Sequence, residues 1–448
     1  TLAQLETLAR IPSVSAPGFD PREVVRSAEA VAELLAGLGL EGVELLRVGG
    51  AHPYVVGEWR AADPDAPTAL LYAHHDVQPP GRESHWKSPP FEPTRRADGR
   101  IYARGIVDDK AGVLVFAAAI RAWREAAGGP PIHLKLIVEG EEEIGSVHLS
   151  QFLETWRHRF ACDVMVLSDT ANLEAGLPSI TTSLRGLVNV DLLVRALDHP
   201  LHSGMWGGAV PDAASALAVI LGRLFDVDGA INVPGLSDDV PQLGERERRE
   251  LDALPFDESA FRADSGVVAS ARVPSGVLER LWRRPSLAVT ALEGRPLSEA
   301  ANQLIDVARA RVGLRLAPGQ DADRARRRLV AFLERDPPWG VEVAAKAESA
   351  VPGWATRPEG PAFEAARRAL KLGFGRDPVC IGCGGSIPFV GPFAGVLGGV
   401  PALLLGLEDP ICNAHGENES LNVDDFVKAV CSATHLFSEL AFVERIRR

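Results

Sequence analysis

Apolar and polar positions alternate along this chain with two distinct periods, and the places where they switch mark its elements. Residues 20–38 repeat apolar positions at helical spacing, with Gly39 as a stop. Residues 43–48 and 54–59 read as short strands, followed by an Asp/Pro/Ala turn at 63–67. The run TALLYA then delivers His74 and Asp76 at its end, where a buried strand meets solvent. A second strand-like run, residues 100–104, leads to Asp108 and Asp109, and an apolar helix pattern follows over 111–123. IHLKLIVE, residues 132–139, is another strand; it ends in the acidic cluster GEEEIGS, and 147–160 is again helical. The short apolar run 164–167 ends on Ser168 and Asp169. Strands alternating with helices, with polar residues at the strand C-termini, predict an open α/β sheet with its site along one edge.

Around Arg185 the texture changes. LVNVDLLVRA is a long strand, DHPLHSGMWGGAVP a Gly-rich loop, and 212–225 a helix with an apolar face. Residues 226–275 are polar and Pro-bearing, which predicts an irregular surface excursion. Residues 307–316 alternate as a strand, 322–334 form an Arg-rich amphipathic helix, and 341–349 a closing strand. After Pro361 the earlier style resumes: a helix over 362–372, a glycine loop at CGGSIP, the run VPALLLG, the loop NAHGENESLNVDD and a last helix. The pattern predicts one catalytic domain, residues 1–184 and 350–448, interrupted by an inserted α+β domain at 185–349.

Composition narrows the function classes. The chain has 448 residues, 46% hydrophobic and 24% charged, enough for a large core and more than one domain. Its formal net charge of −13, without a Lys/Arg run, argues against nucleic acid and anionic membranes as partners. No apolar stretch reaches membrane-spanning length. The chain starts at Thr1, so a removed leader is compatible with it, although the first residues already read as mature domain. Five cysteines do not suggest a disulfide framework. Cys380 and Cys383 form a C-x-x-C with no second pair, which reads as buried free thiols and a cytoplasmic protein.

Five segments carry the chemistry: His74-x-Asp76, Asp108-Asp109, Glu142-Glu143, Asp169 and His415. Each follows a predicted strand. Imidazole with several carboxylates suits a divalent metal such as zinc. Taken singly, each segment also reads as an acidic turn, a helix cap or a surface loop; their joint occurrence is what points to a metal centre.

AHHDVQP, RGIVDDK, EGEEEIGS, SDT, LHSGMWGGAV, GGSIP and NAHGENES together resemble the zinc exopeptidase and amidohydrolase superfamily, closest to its cytosolic nonspecific dipeptidase (carnosinase-like) branch. The resemblance spans nearly the whole chain. It implies an open-sheet dinuclear-zinc peptidase domain with an inserted lid and dimerisation domain. His74 and Asp169 would serve one zinc, Glu143 and His415 the other, and Asp108 would bridge them, followed by a cis peptide. Manganese or cobalt could replace the two zinc ions. Asp76 would orient His74, and Glu142 would act as general base. His202 would stabilise the oxyanion in the partner's site of a homodimer. Arg315 would bind the carboxylate of a small peptide, with Asn302 and Ser386 as further contacts. Two departures bear on substrate choice: relatives place a proline where this chain has Ile305, and many carry Arg-Glu where it has Gly382-Cys383. Asp169, rather than a glutamate, resembles the aminopeptidase and dipeptidase members. The alternative within the same centre is hydrolysis of N-acyl or N-carbamoyl amino acids.

Overall fold

Strands that are apolar on both faces need a layer on each side, and the chain supplies both. The computed structural model describes residues 1–387 and 389–443; Pro388 of the GGSIP motif and residues 444–448 of the last expected segment lie outside them. The first half of the chain builds β1 (Glu41–Leu46), β2 (Tyr54–Trp59), β3 (Thr68–His74), β4 (His133–Glu139), β5 (Val164–Leu167) and β6 (Ser179–Leu184). It then leaves for a second sheet made of β7 (Gly186–Arg195), β8 (Ser286–Glu293), β9 (Val307–Leu316) and β10 (Glu342–Ala347). On returning it adds β11 (Val379–Cys383) and β12 (Ala402–Leu404) to the first sheet.

The large sheet runs in the order β1-β2-β4-β3-β5-β12-β6, closed by the short strand Trp354–Ala355, with β11 paired to β6. Its centre is parallel: β3 pairs with β4 on one side and β5 on the other, and β5 with β12. Successive side chains point to opposite faces, so Leu71, Leu136 and Val166 pack under the helices Lys110–Ala127 and Pro361–Phe374. Leu70, Tyr72, Ile137 and Leu167 pack on the other face against Phe152, Phe389 and Phe393. The helix Lys110–Ala127 is buried all round from Lys110 to Ile120 and stops at Gly128, whose φ of 82° suits glycine.

The second sheet is antiparallel, in the order β8-β9-β7-β10. Its core joins Val188, Val190, Leu192 and Val194 of β7 to Leu217 and Ile220 of the helix Ala213–Gly222 and to Leu329 and Leu333 of the helix Ala322–Glu334. The α/β class with an inserted α+β unit is therefore as the pattern predicts. The excursion at 226–275 differs: it carries two helices, Glu245–Asp252 and Glu258–Asp264. Neither buries a residue, so no apolar stripe announces them; Asp257 caps the second by accepting from Ser259 and Ala260 N–H. No helix of the described residues is long and apolar enough to cross a membrane.

One buried ion pair ties the edge where the parallel strands end. The strand Ser420–Asn422 pairs with Arg100–Tyr102, which brings Glu419 against Arg104. The Glu419 carboxylate accepts from Arg104 Nη1 at 2.7 Å and from the N–H groups of Gly105 (2.9 Å), Val107 (3.0 Å) and Asp108 (3.3 Å). Arg104 Nη2 donates to the carbonyls of Pro79, His415 and Gly416. Three loops thus meet at one pair whose side chains are 1% and 0% exposed. Glu419→Ala leaves a buried guanidinium without its acid and should cost about 3–5 kcal/mol, read as a lower urea midpoint of unfolding.

Candidate metal centre

Because β4, β3 and β5 are parallel neighbours, their C-terminal ends open on the same edge, the usual place for a site in such sheets. His74 is the last residue of β3; Glu142 and Glu143 follow β4, and Asp169 follows β5. Asp108 arrives from the loop before the helix Lys110–Ala127, through a cis peptide to Asp109. His415 arrives from the far end of the chain, on the loop that Arg104 holds.

Two groups of possible ligands result: His74, Asp108 and Asp169, and Asp108, Glu143 and His415. Asp108 belongs to both and divides its oxygens between them. Its Oδ1 lies 3.0 Å from His74 Nε2, and its Oδ2 lies 3.0 Å from His415 Nε2. His74 Nε2 is 3.8 Å from Asp169 Oδ1, and His415 Nε2 is 3.2 Å from Glu143 Oε2. Donor atoms bonded to zinc at about 2.0–2.2 Å in a tetrahedron stand roughly 3.3–3.6 Å apart, so the spacing fits an ion in each group. The donor types fit as well: imidazole nitrogen and carboxylate oxygen, without sulfur.

The surrounding hydrogen bonds fix how these atoms point. His74 Nδ1 lies 3.1 Å from the Asp76 carbonyl and 3.4 Å from Asp76 Oδ1, which leaves Nε2 facing the centre. The same Asp76 carboxylate accepts from Ser15 Oγ at 2.7 Å and from the N–H groups of Glu142 (3.2 Å) and Glu143 (3.1 Å). One fully buried acid therefore orients the imidazole on β3 and the turn after β4. Glu143 is steadied further by Gln78, whose N–H and Nε2 donate to its carboxylate at 3.0 and 2.8 Å. Glu142 differs: its carboxyl makes no hydrogen bond or ion pair among the described residues.

Charge is unbalanced here. Burial pushes Glu142 well above the usual carboxylate range, and Asp169 beside it adds to the effect. Burial, with Asp108, raises Glu143 to about 7. Burial also opposes ionisation of Asp108, but hydrogen bonds from His415 and His74 outweigh it and hold that carboxyl far below its ordinary value. His74 loses to burial and gains more from Asp108, Asp169 and Asp76, ending well above a free imidazole. A cleft whose carboxylates recruit imidazolium protons in this way is a site that accommodates cations.

The residues expected in the inserted unit are not among these two ligand groups. His202 is exposed; its Nδ1 accepts from Gly204 N–H, and no hydrogen bond or ion pair among the described residues links it to the centre. The short pairing of Leu201–His202 with Gln303–Leu304, and a 2.9 Å bond from Ser203 N–H to the Asn302 carbonyl, place Asn302 beside it. Arg315 is a half-buried residue of β9, and Ser386 sits half-buried in the glycine loop after β11. Reading the sequence missed Gln78, Ser15, Glu419 and Arg185. Gln78 had a signal: in an extended segment it shares a face with His74 and Asp76. Ser15 had none, its partner being 61 residues away, and Glu419, although inside NAHGENES, has its partner more than 300 residues away.

Known proteins resemble this chain over most of its length. A cysteinylglycine-S-conjugate dipeptidase of Corynebacterium striatum is 32% identical over 80% of this chain and 78% of its own. A human Beta-Ala-His dipeptidase is 30% identical over 87% of this chain and 78% of its own. The solved structure of the dipeptidase Dug1p from Saccharomyces cerevisiae superposes with a TM-score of 0.89 at 25% identity, covering 98% of this chain and 95% of that one. Residues 70–439 match the model of peptidase family M20/M25/M40, which takes in all five chemistry-bearing segments. With its ligand groups at the strand ends where a metallopeptidase needs them, this chain belongs to peptidase family M20/M25/M40.

Proposed function

We propose that this protein hydrolyses the amide bond of dipeptides and related small peptides at a two-zinc centre, with Glu142 as general base. The observation that carries the reading is Asp108, whose two oxygens face two separate imidazole-carboxylate groups, beside a glutamate that nothing else engages. His74, Asp169 and Asp108 would hold one ion; Glu143, His415 and Asp108 the other. Four carboxylates (Asp108, Glu142, Glu143, Asp169) and two neutral imidazoles balance two divalent cations. Manganese or cobalt accepts the same donors. When bound, the ions supply Lewis-acid chemistry that activates water and polarises the scissile carbonyl.

The chain's own groups do the rest. The Glu142 carboxylate takes the proton of the attacking water and hands it to the leaving amine. Its free carboxyl, held only through its backbone by Asp76, suits a group that must both accept and donate. Asp76 keeps His74 in the tautomer that presents Nε2. Arg315 pairs with the substrate's terminal carboxylate through a planar guanidinium, with Asn302 and Ser386 as further contacts. The exposed His202, which no hydrogen bond or ion pair among the described residues links to the centre of its own chain, would serve the substrate oxygen in the site of a second subunit, so the working form is a homodimer. Residues 1–184 and 350–448 act as the catalytic domain and 185–349 as the inserted lid and dimerisation domain. Five free thiols among the described residues suit the cytoplasm.

Assay against a panel of free dipeptides and matched N-acyl and N-carbamoyl amino acids tests the substrate class; turnover of the latter alone would replace this reading by an amidohydrolase. A chelator should abolish activity and zinc, manganese or cobalt restore it, with two ions per chain by elemental analysis; fewer than one ion per active chain rejects the centre. Glu142→Gln should keep both ions and lose at least about a thousandfold in kcat, whereas Glu143→Gln should lose metal. Inactive Glu142→Ala and His202→Ala proteins, mixed and allowed to exchange subunits, should recover about a quarter of wild-type activity, because one site of each mixed dimer carries both intact groups. No recovery after verified exchange would place His202 in its own subunit's chemistry.

A further inference from the structure

Buried arginines are ordinarily matched by an acid, and two of this chain's are: Arg100 pairs with Asp409 at 2.9 Å and Arg104 with Glu419 at 2.7 Å. Arg185 and Arg315 break the rule together. Arg185 is 8% exposed and Arg315 half-buried, yet neither has an ion-pair partner among the described residues.

The two lie side by side at the seam between the sheets. Arg185 is the single residue between β6 of the large sheet and β7 of the second. Its Nε donates to the carbonyl of Gly384 at 3.1 Å, in the glycine loop that carries Ser386. Its Nη1 donates to Ser286 Oγ at 2.9 Å, and Ser286 is the cross-strand partner of Arg315 in the β8-β9 register. Its Nη2 has no acceptor among the described residues and, unlike Arg104 Nε, is not sealed from solvent. Arg315 has no acceptor among the described residues for any of its guanidinium nitrogens. Burial, and then the charge of Arg315, pull Arg185 down to about 10, as expected of two cations sharing one poorly solvated place.

We propose that Arg185 and Arg315 form a two-guanidinium anion site that selects peptides whose C-terminal residue is aspartate or glutamate. The inference rests on the reading of Arg315 as the site for the substrate's terminal carboxylate and extends it. One α-carboxylate offsets one of the two charges. The second guanidinium, held by Gly384 and Ser286 with Nη2 left over, then takes the side-chain carboxylate of the same residue. Such a site discriminates by charge rather than by size, since a carboxylate and its amide have nearly the same shape.

Ala-Glu and Ala-Gln are therefore the probes, assayed with the metal-loaded enzyme. Wild-type kcat/KM should favour Ala-Glu over Ala-Gln by roughly ten- to hundredfold, mainly through KM. Arg185→Gln should bring the ratio close to one, whatever it does to turnover of both peptides alike. Arg185→Lys, which keeps the charge but not the fork, should retain part of the preference, and guards against a Gln variant that fails to fold. Competition by free glutamate and glutamine against Ala-Gln hydrolysis gives the same comparison without the acidic substrate: glutamate should inhibit more strongly, and only while Arg185 is present. Absence of a wild-type preference for Ala-Glu, or its survival in Arg185→Gln, overturns the proposal while leaving the dipeptidase reading intact. Failure to hydrolyse either dipeptide would instead reject that reading.

Discussion

Carboxylates gathered in a poorly solvated cleft repel one another, and this fold is arranged to hold four of them together. Three parallel strands end side by side, so Asp169, His74 and the Glu142-Glu143 turn share one edge without any long loop having to fold back. Backbone N–H groups and the Arg104 guanidinium then supply what the acids lack. Asp76 collects the N–H groups of Glu142 and Glu143, and Glu419 collects those of Gly105, Val107 and Asp108. Neither acid faces the ligand atoms directly. Each sets where a ligand-bearing turn stands, which is how supporting residues tune a metal centre.

Removal of solvent has opposite consequences for the acids and for the arginines of this fold. At the strand ends it raises the carboxyls and favours a resident cation. At the seam it lowers Arg185 and Arg315 below their ordinary values. Arg315 belongs to β9 of the second sheet, whereas Ser386 follows β11 of the first. Arg185, bonded to Gly384 on one side and Ser286 on the other, spans the crossing. A ligand anion bound there would touch both bodies of the fold.

Local order explains which parts of this architecture could be read directly. The strands that end in His74, Glu139 and Leu167 are nearly continuous apolar runs, as strands buried on both faces must be, and each is followed at once by its polar residues. That pattern is carried by neighbouring residues, so the sheet, its functional edge and the five chemistry-bearing segments were visible in the chain. The helices at 245–252 and 258–264 were not, because they bury nothing and leave no period to detect. Nor was β11, a five-residue strand ending in the glycine loop, whose pairing with β6 depends on residues almost two hundred positions earlier.

What the sequence determined alone was the identity and order of the ligand types, because strand ends and their polar residues are adjacent in the chain. Only the tertiary structure decided how those groups divide. It gave Asp108 one oxygen for His74 and the other for His415, and it left the Glu142 carboxyl unengaged. It also left His202 exposed and brought Arg185 near Arg315, with no ion-pair partner for either among the described residues. These outcomes depend on contacts between segments hundreds of residues apart, such as Arg104 with Glu419, and no local period encodes the distance or direction of such a contact.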